Sequence, residues 1–292
     1  MKDTAVERAG GPGTGRVHDA HVQAVARREA LGHRLLRSRA EALARDASSG
    51  DLDSELAALE ATALEAGATR ARAIAVSQVV VDARVTMKCR VPPCEHYGIN
   101  HLCPPYSPTA GEFAVYVARY RHALLLQVQA RLSASFKELV EEGDDKWYRE
   151  LHREPAWVEA YQGTMLPLWH RLHLAAIAVE REAVRRGHGG ALALGAASCG
   201  FCDPAGLAER CELLGLAPPR EGPAPARPPG SPAYAWCDLT RPCPFPEVAR
   251  PAMEAVGIDV VRTLRNAGWE IRFPATSYPE DVVFYTGLVL VA

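Results

Sequence analysis

Thr109-Ala-Gly-Glu-Phe-Ala-Val-Tyr-Val-Ala-Arg-Tyr120, followed after Arg121 by His122-Ala-Leu-Leu-Leu-Gln-Val-Gln129, is the stretch that decides the fold. Thr109 with Glu112 three residues on has the capping-box pattern, which predicts a helix from Thr109 through about Tyr120. The short apolar run over 122–129 reads as a buried strand. The same alternation continues outward. Upstream, Asp51-Leu-Asp-Ser-Glu-Leu56 supplies capping residues for a helix over about 53–66, ended by Gly67, and residues 73–85, rich in Ile and Val, read as one or two strands. Downstream, residues 136–188 read as helical, with a charged run (Glu141, Glu142, Asp144, Asp145) that forms a solvated face. Residues 191–194 read as a short buried strand that delivers Gly195-Ala-Ala-Ser-Cys199. Residues 246–256 and 259–267 read as helices, and 268–273 and 282–291 as strands. Strands separated by helices predict an α/β or α+β fold, a mixed sheet flanked by helices. Residues 1–69 form a helical N-terminal extension behind a Gly-rich leader, and residues 70–292 form a cysteine-rich α/β domain. Seven prolines and three glycines in 215–233 mark a Pro-rich insertion, taken as 203–236.

Composition narrows the function classes. Lys plus Arg number 33 and Asp plus Glu 35, so the net charge is −2, which does not suit a protein that must neutralise many phosphates; no nucleic-acid partner is expected. Hydrophobic residues make up 48%, enough for a sizeable core. The longest apolar stretch, 282–292, falls short of the roughly 20 residues of a membrane span, and the N-terminus lacks the apolar core of a signal peptide. A cytoplasmic protein without a membrane partner is the expectation.

The eight cysteines fall in two segments: Cys89, Cys94 and Cys103 in the first, and Cys199, Cys202, Cys211, Cys237 and Cys243 in the second. Clustered cysteines in a reducing compartment are metal ligands or redox thiols more often than disulfides. Residues 89–109 carry Pro92, Pro93, Pro104, Pro105 and Pro108 with Gly98 and Asn100, so they read as one fixed loop of the kind that has a functional or metal-bound reason. The second segment offers a Cys-x2-Cys pair, Cys199 and Cys202, which lets two thiolates reach one centre from a tight turn. Structural zinc usually combines two such short steps. Only one occurs here, and the wider x4, x8 and x5 spacings suit the larger span of a [4Fe–4S] cube.

Val79-Val-Val-Asp-Ala-Arg-Val-Thr-Met-Lys-Cys89, Pro93-Cys-Glu-His-Tyr-Gly-Ile-Asn-His-Leu-Cys-Pro-Pro-Tyr-Ser-Pro-Thr109, Ser198-Cys-Gly-Phe-Cys202 and Arg241-Pro-Cys-Pro-Phe-Pro-Glu-Val-Ala-Arg-Pro-Ala-Met-Glu-Ala-Val-Gly-Ile-Asp259 together resemble a family of bacterial and archaeal "predicted metal-binding proteins" of unknown function. The resemblance spans roughly residues 73–259 and implies metal binding, with iron–sulfur as the implied metal chemistry. It puts the first motif on Cys89, Cys94 and Cys103, and the second on Cys199, Cys202, a third cysteine and Cys243. The third falls on Cys237 or Cys211; Cys237 stands the family's short distance before Cys243, which leaves Cys211 as a spare thiol in the insertion.

Two [4Fe–4S] clusters are therefore expected, with the two cysteine loops meeting at one edge of the sheet. The first loop has three cysteines for a four-iron cube, so His96, His101 or Cys211 supplies the fourth ligand, or one iron stays open to substrate beside Tyr97, Asn100 and Tyr106. Lys88, Arg90 and Arg84 flank Cys89, where they offset thiolate charge or are simply solvated. His170 and His173 stand three apart on a helix and could face a metal, though a half-buried pair is the plainer reading. Gly187-His-Gly-Gly190 precedes a strand and is no phosphate-binding loop. Three function classes follow. The first is an electron-transfer protein or redox component that serves a protein partner. The second is an iron–sulfur enzyme, an oxidoreductase whose open iron binds a small-molecule substrate. The third is a zinc-stabilised interaction module.

Overall fold

The structure is a computed structural model that describes residues 49–94, 96–132, 134–142, 154–199, 201, 211–212, 214–215, 237, 239–269 and 282–292. The expected leader, the insertion at 203–236 except 211–212 and 214–215, most of the strand expected at 268–273, the Asp144-Asp145 run and Cys202 lie outside these residues. Residues 1–47 and Ser48–Ala292 form two separate compact units. The helix that the sequence puts in the N-terminal extension, α1 (Ser49–Glu65), belongs to the second unit. Its apolar face explains why: Leu59 and Ala63 are fully buried in the main core.

The described residues build one four-stranded sheet in the order β1–β2–β4–β3 and six α-helices, which bears out the α/β class. The strands are β1 (Arg70–Ala75), β2 (His122–Arg131), β3 (Leu192–Leu194) and β4 (Val282–Val291), and every ladder between them is antiparallel. β2 and β4 pair along ten residues, from His122 opposite Val291 to Arg131 opposite Val282. Both are buried on two sides, so successive residues feed opposite cores. Leu124, Leu126, Val128, Val289 and Val291 face one core with α1 and the long helix α5 (Pro155–Arg185). Ala123, Leu125, Leu288 and Leu290 face the other, with Phe113 and Val117 of α3 (Ala110–Val117) and Leu264 of α6 (Val260–Asn266). Each such leucine contributes about 2 kcal/mol by burial.

Local chemistry sets the elements that carry the cysteines. The capping box at α3 forms as expected: Thr109 N–H donates to Glu112 Oε2 at 2.8 Å, and Glu112 N–H donates to Thr109 Oγ1 at 3.3 Å. The strand expected over 73–85 ends at Ala75. A 3-10 turn (Val76–Gln78) follows, and then helix α2 (Ala83–Arg90). Asp82 causes the change by accepting the Arg84 N–H at 2.9 Å as an N-cap, after which Ala, Arg, Met and Lys favour helix. The Arg84 guanidinium holds the Asp82 carboxyl down at about 2. Residues 246–256 likewise form turns with a single 3-10 step (Glu254–Val256), because Pro246 and Pro251 interrupt any helix. The remaining helix, α4 (Ala134–Glu142), follows β2.

One buried carboxylate ties the second cysteine segment to the long helix. Glu180 of α5 accepts the Ala193 N–H of β3 at 2.5 Å and the Arg250 Nε–H at 2.8 Å, and it also pairs with Arg250 Nη2. Breaking a buried pair by removing one charge costs about 3 kcal/mol. Glu180→Gln should therefore lower the unfolding free energy by about that amount in urea titrations. A loss below about 0.5 kcal/mol would show the pair to be dispensable.

Candidate metal centre

The chain crossing at Gly195 gathers the cysteine segments. Gly195 N–H donates to Pro251 O at 2.9 Å, and Met253 N–H donates to Gly195 O at 3.0 Å, so the end of β3 lies against residues 251–253. Gly257 carries that segment on to the first cysteine region. Its φ is +88°, and a Cβ there would stand 2.5 Å from Ala110 Cβ, so only glycine fits. Ser107 Oγ donates to Ala255 O at 2.9 Å, and Asp82 N–H donates to Gly257 O at 2.8 Å.

Cys89 occupies the last turn of α2, and the described residues of 91–109 then run as turns and bends. Backbone bonds hold them: Cys94 N–H to Cys89 O at 2.9 Å, Gly98 N–H to Pro104 O at 2.9 Å, and Tyr106 N–H to Cys103 O at 3.0 Å. Asn100 is fully buried; its Oδ1 accepts the Leu102 N–H at 2.9 Å and its Nδ2 donates to Cys103 Sγ at 3.4 Å. Burial pushes the Cys103 thiol up to about 12, with Cys94, Cys89 and Cys237 near enough to add to the rise. Burial also raises Cys89, helped by Cys94 and by the Glu254 carboxylate.

The second segment reaches into this loop. Cys237 N–H donates to Ile99 O at 3.0 Å, and the His101 backbone N–H donates to the Cys237 sulfur. His101 Nε2–H donates to Arg241 O at 3.0 Å. Further along, Phe245 N–H donates to Cys243 Sγ at 3.4 Å, and the Phe245 ring meets Phe201 edge-on at 4.7 Å. Cys199 and Cys243 are partly buried against the main core, and Cys211 is buried within it at 1% exposure.

The histidines divide. His101 fastens the two segments together through its ring. Burial holds His96 down to about 4, so its ring is neutral at physiological pH. His173 donates to Val248 O at 2.9 Å and lies near the Phe201 ring, while the neighbouring His170 stacks on Trp169. Sequence reasoning gave no role to Glu254, although it stands inside the quoted Pro251–Gly257 text, and it missed that Asn100 donates to a thiol.

A family described as "Predicted metal-binding protein (DUF2284)" matches residues 72–291, well over half of the chain. The chain belongs to this family. Among curated proteins and solved structures, nothing matches it. Among the described residues no helix is long and apolar enough to cross a membrane. Nor do three Cys, His, Asp or Glu side chains converge on a single ion among them.

The donor chemistry fits the family's metal binding. Cys103, Cys237 and Cys243 each accept an N–H, and such bonds strengthen when sulfur carries the negative charge of a metal-bound thiolate. Without a cation these thiols stay protonated, since burial raises Cys89, Cys103, Cys237 and Cys243 alike. Metal binding must then release protons and tighten as pH rises from about 6 to about 8. Asn100→Ala should weaken metal affinity about ten- to hundredfold in competition against a chelator. An unchanged affinity, or one independent of pH, would show that these thiols are not the ligands.

Proposed function

We propose that this protein is an iron–sulfur protein with two [4Fe–4S] centres, built on the two cysteine segments, and that it acts in electron transfer. The observation that carries the reading is the hydrogen-bonded seam between Ile99–His101 and Cys237–Arg241, which joins the first cysteine loop to the second cysteine segment. A [4Fe–4S] centre supplies one-electron chemistry, and its potential is tuned by hydrogen bonds to sulfur of the kind found at Cys103, Cys237 and Cys243. Reduced thiols fit a cytoplasmic setting.

The exposed end of α2 suits an electron-transfer protein as partner. Arg84, Lys88 and Arg90 are exposed there, beside Met87 at 52% and Val91 at 69% exposure. An apolar centre rimmed by basic side chains favours an acidic partner.

Anaerobically prepared protein should be brown, carry iron and sulfide in equal amounts, and bleach on dithionite. Colourless protein with stoichiometric zinc would leave the interaction-module reading instead. Electron exchange with an acidic carrier such as a ferredoxin should slow as salt is raised and slow again in Lys88→Glu/Arg90→Glu. Salt-independent exchange would remove the docking face from the reading.

A further inference from the structure

We propose that Cys237 is the fourth thiolate of the centre formed by Cys89, Cys94 and Cys103, and that Cys211 belongs with the second cysteine group. The inference rests on the reading that the cysteines hold metal centres, and it reassigns a residue whose spacing to Cys243 pairs it with the second motif.

Three contacts seat Cys237 in the first loop: its N–H on Ile99 O, the His101 backbone N–H on its sulfur, and the His101 ring on Arg241 O four residues later. A thiol that only fills space needs no N–H donor. Ile99 precedes Asn100, whose amide donates to Cys103 Sγ at 3.4 Å, so Cys237 is fastened to the backbone one residue from the side chain that holds Cys103. Cys211 meanwhile lies in the apolar cluster against which Cys199 and Cys243 are packed, and the nearby Leu214 carbonyl accepts Arg181 Nη1 at 2.8 Å.

A three-cysteine loop leaves one iron of a cube without a thiolate, and Cys237 completes it. Two-cluster bacterial ferredoxins share ligands in the same crossed way, one cysteine of each run serving the other cluster. A centre closed by four thiolates offers no iron to a substrate, which favours an electron carrier over an enzyme with an open site.

The test uses the full chain in two backgrounds, reconstituted anaerobically with ferrous iron and sulfide. In Cys199→Ala/Cys243→Ala, which keeps the first group, about four irons should bind. Adding Cys237→Ser should cut retained iron several-fold or shift the electron paramagnetic resonance of the reduced centre, whereas Cys211→Ala should change neither. In Cys89→Ala/Cys94→Ala/Cys103→Ala the dependence should reverse. Iron loss from Cys237→Ser only in the second background would overturn the assignment. A measurement without further mutation guards against misfolding: in the first background, iron should protect Cys237 from iodoacetamide, and full alkylation of the loaded chain would also overturn it. If zinc is bound instead of iron, the proposed function fails, while zinc counts on the same chains still decide the ligand.

Discussion

The ten-residue antiparallel ladder between β2 and β4 is the constraint on which the rest of the molecule depends. Because both strands are covered on two faces, their side chains fix where the helices can lie, with α1 and α5 on one side and α3 and α6 on the other. A slip of one residue would exchange the two cores, so the register is strongly determined. β3 adds only three residues to the edge of β4. Its importance is where it stops: Gly195, the next residue, is clamped to Pro251 and Met253.

Buried charge and buried thiols play opposite parts around this frame. Glu180 is satisfied by Arg250 and by a backbone N–H, so the ion pair is complete within the protein and serves architecture. The thiols of Cys89, Cys103, Cys237 and Cys243 are instead disfavoured as anions by their surroundings, yet three of these sulfurs are met by N–H donors. That combination stays incomplete without a cation, which is what separates a metal-binding region from ordinary core.

Much of this was legible in the sequence, for reasons that differ by element. Thr109-x-x-Glu112 announces α3 because its cap is local, and β4 has the bounds its apolar run suggests. Helix α2 was misread because Val79-Val-Val81 extends a strand-like text into residues that Asp82 then caps as helix. Pro167 sits inside the 31-residue α5 without ending it, since packing of Leu166, Leu168 and Trp169 outweighs the lost backbone bond. The cysteine motifs were plain, but the seating of Cys237 on Ile99 was not. No local pattern encodes a contact made across β2, α5 and β3.

That distance gives the molecule an order of assembly. The His101–Arg241 bond joins residues 140 apart, and β2, α5 and β3 lie between them. During synthesis Cys89, Cys94 and Cys103 leave the ribosome long before Cys237, so the first loop exists for a time as a three-thiol fragment. The hydrogen-bonded seam can close only once Cys237 and Arg241 have been made, and the β4 strand that pairs with β2 comes later still. Closing a loop of this length has an entropic cost that grows only with the logarithm of its size, so the Pro-rich insertion can lengthen or shorten over evolution with little penalty to the seam. Formation of the seam is thus tied to synthesis of the second cysteine segment, and a product cut before Cys237 would carry the first three thiols without the seam that joins the two segments.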